Sequence, residues 1–330
     1  MIKSLTNSVR KIFQNPVGFD VNGILAATFI FVVVALLFIP LHPRILDLFL
    51  VSNMMFALIL LLGSLLVVHP ISFLSFPKVL LLFTFFRLAL NVSSTRLILS
   101  EGDKGMDAAG QVIESFGNII VSGDFIVGVI LFAIISIVNF VVIAKGSARV
   151  AEVSARFSLD AMPGKQFAID ADLRSGNITK DVAAFRRDLL NKESHFFGSM
   201  DGAMKFVQGD AVAGLVITFI NAVGGVLIGV RRGLGVEDAI STFGVLTIGD
   251  GLVNILPALL VSVSAGIIVT HVTKLEDSSA HSQDLRSVIA APQAVIIAAL
   301  ILFFLAVAPG FPFLPFVIIG VLSLSLLLVV

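Results

Sequence analysis

The chain of 330 residues is 57% apolar and only 13% charged, and its mean hydropathy is +1.06. A water-soluble domain needs a polar surface that this composition does not supply, so most of the chain must face lipid. Twenty-two basic residues balance 22 acidic ones, and there is no cysteine, which excludes disulfides and thiolate metal sites; lipid and protein are the expected partners, with no nucleic acid.

Residues 1–21 place Ile2, Leu5, Val9, Ile12 and Phe13 at helical spacing with Lys3, Arg10 and Lys11 around them, the pattern of a basic amphipathic segment lying in the headgroup plane or, equally, of a frayed basic tail that sets topology. Four apolar runs follow within residues 22–144: Gly23 to Leu41, Leu48 to Val68, Val79 to Leu99 and Phe125 to Ala144. A span of the hydrocarbon core takes roughly 20 helical residues. The third run carries Arg87 and Arg96 around Asn91, Ser93, Ser94 and Thr95, an intramembrane polar cluster. Arginine stays charged at any relevant pH, so these two suit ion pairing or snorkelling to the interfaces and not proton carriage.

Residues 145–210 read differently, with ten basic and nine acidic side chains. So long a charged connection folds or binds something, and a small compact cytoplasmic module is expected here. Thr179 is placed to cap a helix, while Gly164, Gly176, Gly198, Gly202 and Gly209 punctuate the rest. Arg149, Glu152, Arg156 and Asp160 recur every three or four residues and make one charged stripe on a helix, a solvated face or a subunit contact. The Gly164-Lys165 pair lacks the surrounding glycine and hydroxyl of a phosphate loop, and Asp170 with Asp172 lacks the remaining ligands of a calcium loop.

Within residues 211–330, Ala211 to Val230 and Ala239 to Thr270 are two further spans. The uncharged tract from Ser287 onward is broken at Pro309, Gly310, Pro312 and Pro315 into a final pair. Asp250, between Gly249 and Gly251 and seven residues before Pro257, lies where a helix can unwind and hold a coupling ion. Asp210, at the start of the fifth span, has the position of an N-cap carboxylate. The reading is an all-α membrane protein of about eight transmembrane helices with a folded loop module between spans four and five. Lys3, Arg10, Lys11, Lys78, Lys274, Arg286 and the long loop's basic residues fall on one side, against Arg44, Lys104, Arg231 and Arg232 on the other, which puts both termini and the loop in the cytoplasm. No paired nucleophile and base, metal set or cofactor loop marks an enzyme.

Four strings carry a resemblance: RLALNVSSTRLIL from Arg87, GSARVAEVSARFSLDAMPGKQFAIDADL from Gly146, GSMDGAMKFVQGDAVAG from Gly198 and LTIGDGLVNILPALLVSVSAG from Leu246. In order and content they are similar to the FHIPEP family, the large export-gate subunits of flagellar and injectisome type III secretion. The resemblance implies a multi-pass protein of the bacterial inner membrane, a homo-oligomeric nine-fold ring, other export-gate subunits as neighbours, and protons as the coupling ion with no cofactor. It makes Asp210 an ion-pathway candidate beside Asp250, whose setting already offers that role. In such a ring the loop charges Arg149, Glu152, Arg156, Asp160, Lys165, Asp170, Asp172 and Lys205 form either a network within the loop or the subunit contact. Family members continue into a large cytoplasmic domain that docks substrates and chaperones, whereas this sequence stops at Val330 within an apolar run; the membrane half alone is expected. The competing reading, an ion-coupled secondary transporter of a small solute, draws on Asp250, Pro257 and the Asn221 region but finds no internal repeat.

Overall fold

The computed structural model describes residues 21–66, 74–121, 123–270 and 292–327. Ten α-helices account for nearly all of them, with no strand among the described residues: α1 (Val21–Phe38), α2 (Pro43–Leu66), α3 (Phe76–Glu101), α4 (Gln111–Val121), α5 (Phe125–Val138), α6 (Lys145–Arg174), α7 (Lys180–Arg231), α8 (Val236–Thr270), α9 (Pro292–Val307) and α10 (Phe313–Leu327). The amphipathic segment at 1–21 and the basic residues Lys274 and Arg286 lie outside the described residues, Val21 of the first helix excepted.

The chain is an all-α membrane protein. Five helical stretches are long and apolar enough to cross a bilayer, namely Pro43–Leu66, Phe76–Lys104, Phe125–Arg174, Lys180–Arg231 and Val236–Thr270. The other three predicted spans correspond to shorter apolar helices, Ala26–Phe38, Pro292–Val307 and Phe313–Ser325. The last two are joined by a tight turn in which Gly310 takes a positive φ of 92°, between the two prolines that forbid a continuous helix.

Helices α2, α3 and α8 form the centre. Two apolar clusters fill it. One gathers Leu46, Leu50, Leu90, Ile98, Phe243, Leu246 and Phe316. The second lies toward the opposite end of α3, where Phe76 and Leu80 meet Phe196, Met200 and Val269. Arg232, just past α7, pairs with Asp103, just past α3, so those two helices end on the same side of the bundle, and the charged hairpin leaves from the other.

The charged segment 145–210 is a helical hairpin, and each of its two legs is continuous with an apolar helical stretch. Helix α5 passes through a π-helical stretch, Asn139–Ala144, into α6 without a break, and α7 is one helix of 52 residues. At 1.5 Å per residue that is about 78 Å, more than twice a bilayer core. The legs join at Gly176, whose φ of 77° makes the turn, and the Thr179 hydroxyl caps α7 by accepting from the Val182 amide at 3.4 Å. The Thr179 cap agrees with the sequence expectation. Gly164, Gly198, Gly202 and Gly209 do not punctuate anything; they are interior helix positions.

Helix α4 has no counterpart among the predicted spans. It lies flat against α8 with Val112, Ile113 and Phe116 buried. Its first turn is held by Asp47, buried in α2, whose two carboxylate oxygens accept from the Gln111 and Val112 amides at 3.0 Å each. Burial pushes the Glu114 carboxyl above its ordinary value, and the Asp107 charge adds to the shift.

Candidate functional site

The site grows from three helices that each carry polar residues into an apolar bundle. Arg87 and Asn91 are one turn apart on α3, Asp210 is on α7, and Asp250 and Asn254 are one turn apart on α8. Arg87 Nη1 stands 2.8 Å from Asp210 Oδ2, with the two side chains 4% and 3% exposed, so the pair is out of reach of bulk water. The contact is off the hydrogen-bond line and therefore Coulombic: Arg87 Nη1 and both Asp210 oxygens find no hydrogen-bond partner among the described protein atoms. The second terminal nitrogen of the guanidinium, Nη2, donates to the Asn254 carbonyl at 3.1 Å and ties α3 to α8. Asn254 Nδ2 donates in turn to the Asp250 carbonyl at 2.8 Å and to its Oδ1 at 3.2 Å. Asn221 of α7 donates to Asp250 Oδ2 at 3.1 Å.

Both aspartates and Arg87 line one cavity of about 40 Å³, closed on a further side by Ser136, Asn139 and Phe140. That volume holds one to a few water-sized groups. The wall formed by Asn139 and Phe140 is the start of the π-helical stretch, whose wider turn re-aims side chains inside an otherwise regular helix. Asn91 Oδ1 and Asn254 Oδ1 are buried without a hydrogen-bond partner among the described residues.

The structure thus brings together four residues singled out in the sequence, Arg87, Asn91, Asp210 and Asp250. Arg96 stands apart, exposed and donating to the Phe38 carbonyl at 2.7 Å. Two local expectations are corrected. Asp210 is not an N-cap, because α7 begins 30 residues earlier at Lys180 and runs through it. The helix at Asp250 does not unwind, because its flanking glycines serve close packing instead. A Cβ on Gly249 would lie 2.0 Å from the Ile113 carbonyl oxygen of α4, and one on Gly251 would lie 2.4 Å from the Phe132 ring of α5.

The hairpin charges make separate pairs. Arg149 meets Glu152 at 3.0 Å, Lys165 meets Glu193 at 2.8 Å, and Lys205 meets Asp201 at 2.8 Å. Asp170 and Asp172 bind Arg187 and Arg186 across the tip at 2.6 and 3.5 Å. Arg156 and Asp160 are exposed and form no ion pair among the described residues. Sequence reasoning passed over Asp47, Asn139 and Asn254. A polar side chain inside or beside an apolar run was the available signal for each.

The sequence profile of the FHIPEP family matches residues 33–330. The low calcium response locus protein D of Yersinia pestis is 50% identical over 303 residues, 91% of this chain and 42% of that protein. The flagellar biosynthesis proteins FlhA of Caulobacter vibrioides and Salmonella typhimurium are 52% and 46% identical, over 72% and 87% of this chain and 34% and 41% of their own lengths. The chain therefore spans less than half the length of these relatives. No solved structure matches it. With a profile match over nearly its whole length and relatives at about half identity, the chain belongs to the FHIPEP family.

Proposed function

We propose that the chain is the membrane part of a type III protein-export gate, a homo-oligomeric ring of the bacterial inner membrane that couples the proton motive force to the export of flagellar or virulence proteins. The observation that carries this reading is the cavity in which the buried side chains of Asp210, Asp250 and Arg87 meet among apolar helices. Ionisable groups in spanning segments are costly and mark ion paths by default. In this reading both termini and the 145–210 hairpin are cytoplasmic, and protons reach the aspartates through the cavity. The family resemblance suggests nine subunits. Neighbouring copies and the other membrane subunits of the gate are the partners. Two features support self-association: Phe157 and Phe167 are 70% and 74% exposed on the hairpin, outside the membrane, and the apolar windows of the α5 and α7 stretches are only 22% and 11% buried, against 61% for α8. The small-solute transporter reading drew on Asp250, Pro257 and the Asn221 region, and the helix through Asp250 and Pro257 is continuous, without the unwound stretch common at such sites.

The test is export by the full-length protein with Asp210→Asn and Asp250→Asn, under a measured proton gradient. Asparagine keeps shape and loses the charge. Membrane level and assembly size are checked alongside, and Arg87→Gln combined with Asp210→Asn removes the uncompensated arginine in case the single change unfolds the chain. Export should stop in each variant that still inserts and assembles. Wild-type export in both Asn variants would remove the aspartates from the mechanism.

A further inference from the structure

A second concavity lies at the base of the hairpin, apart from the aspartate cavity. It measures about 420 Å³ and is lined by Val141, Lys145, Arg149, Glu152, Lys205 and Gln208, so three cations face one carboxylate. Its height in the membrane follows from the sequence. Lys145 is the first charged residue after the run that starts at Phe125, and Lys205 stands five residues before Asp210 on the other leg. The groove is therefore at headgroup level on the hairpin side, which is where the positive-inside distribution also concentrates charge. Below it the helix surface is apolar and open: Val141 and Val142 are 52% and 62% exposed.

The three cations are not equivalent. Arg149 is engaged by Glu152 and Lys205 by Asp201. Lys145 is exposed, with its Nζ 5.9 Å from the centre of the Phe140 ring and no carboxylate in ion-pair range among the described residues. An ammonium group beside two further cations, above an apolar wall, asks for an anion that brings its own hydrocarbon.

We propose that this groove is a binding site for the headgroup of an anionic phospholipid, with the lipid phosphate on Lys145, Arg149 and Lys205 flanking it, and an acyl chain on Val141 and Val142. A free phosphate ion would use the cations but gain nothing from the apolar wall. A basic pocket between helices at the cytoplasmic boundary is a recurrent way to hold such headgroups. The site touches the aspartate cavity through Phe140, which stacks beneath Lys145 and lines the cavity as well.

The chain contains no tryptophan, so Val141→Trp places a single fluorophore in the groove of the full chain in bilayers. Quenching by brominated phosphatidylglycerol is compared with quenching by brominated phosphatidylcholine. A preference of roughly fivefold for the anionic lipid is expected, close to what one net surface charge supplies. It should fall to about one when Lys145, Arg149 and Lys205 are all changed to Gln, and should survive Lys145→Arg and, at the hairpin tip, Arg186→Gln. Where the triple variant does not insert, Lys145→Gln alone carries the test and should remove most of the preference. Equal quenching by both lipids, or a preference unchanged in the Gln variants, overturns the proposal. Loss of the preference on adding millimolar inorganic phosphate, with ionic strength held constant, would assign the groove to a free anion. Failure of either lipid to quench would assign it to a second copy of the chain, and both results refute the lipid site.

Discussion

Replacing Arg87 with Met removes one side of a buried ion pair and leaves Asp210 facing a cavity it shares with Asp250. The native pair is 2.8 Å apart and less than 5% exposed. Neither charge is solvated by bulk water, and breaking such a pair from one side costs about 3–5 kcal/mol, most of it the uncompensated charge. Loss of the Nη2 bond to the Asn254 carbonyl, a charge-assisted contact at 3.1 Å, adds about 1.5–3 kcal/mol. The helix itself is indifferent to the exchange, since Met and Arg have similar propensity. The single variant should therefore unfold about 4–8 kcal/mol more easily in a reversible mixed-micelle titration. Asp210→Asn alone should cost about 3–5 kcal/mol by the same argument from the opposite side. The double variant removes both charges of the pair, so it should be more stable than the sum of the singles by about 3 kcal/mol. Additive single effects, or an Arg87→Met cost under about 1 kcal/mol, would mean the pair does not exist as described.

Asp47→Ala uncaps α4 and strands the Gln111 and Val112 amides, the second of them buried, so thermal unfolding in detergent should lose about 1–3 kcal/mol, whereas Asp47→Asn, which retains one acceptor, should lose less. Cysteines introduced separately at Gly176 and Asp107 of this cysteine-free chain should react with an impermeant maleimide from opposite sides of sealed vesicles, and labelling from one side would overturn the arrangement of spans. Arg156→Glu, on the exposed face of α6 beside Phe157, should dissociate or shrink the purified assembly by native mass measurement; an unchanged mass would rule the hairpin out as the subunit contact.

How much of this was legible in the sequence depended on which physical signal each element left. Apolar runs found the membrane helices because hydropathy survives any packing arrangement. The loop between spans four and five is a folded helical hairpin, and the length of its two helices was hidden by its glycines. In α6 and α7 glycines 164, 198, 202 and 209 stay helical, and nothing lies within 4 Å of an added Cβ at any of them; only Gly176 turns the chain. At Gly249 the signal was real and its cause was different. The missing side chain lets the α4 backbone approach α8, the close contact small residues allow between membrane helices, and the helix does not open. Arg87 and Asp210, 123 positions apart in the sequence, each read as a separate anomaly. Nothing in local spacing pairs them, because their contact is made by tertiary packing of α3 on α7.

The charged hairpin and the polar cavity among the apolar helices are mechanically connected. Asp210 and the hairpin tip belong to one uninterrupted helix, and Asn221, which holds Asp250, lies three turns further along that helix. Any displacement of α7 along its axis moves Asp210 relative to Arg87 and Asn221 relative to Asp250 at once, while α3 and α8 stay in the apolar centre. The other leg reaches the same cavity by a softer route. Its π-helical stretch at Asn139–Ala144 lies between the membrane part and the hairpin part, and it contributes Asn139 and Phe140 to the cavity wall. A stiff leg carrying the charge and a deformable leg carrying the wall allow the hairpin to change the cavity without unfolding either helix. In the proposed gate, force or binding at the hairpin and protonation in the cavity are two ends of that one lever.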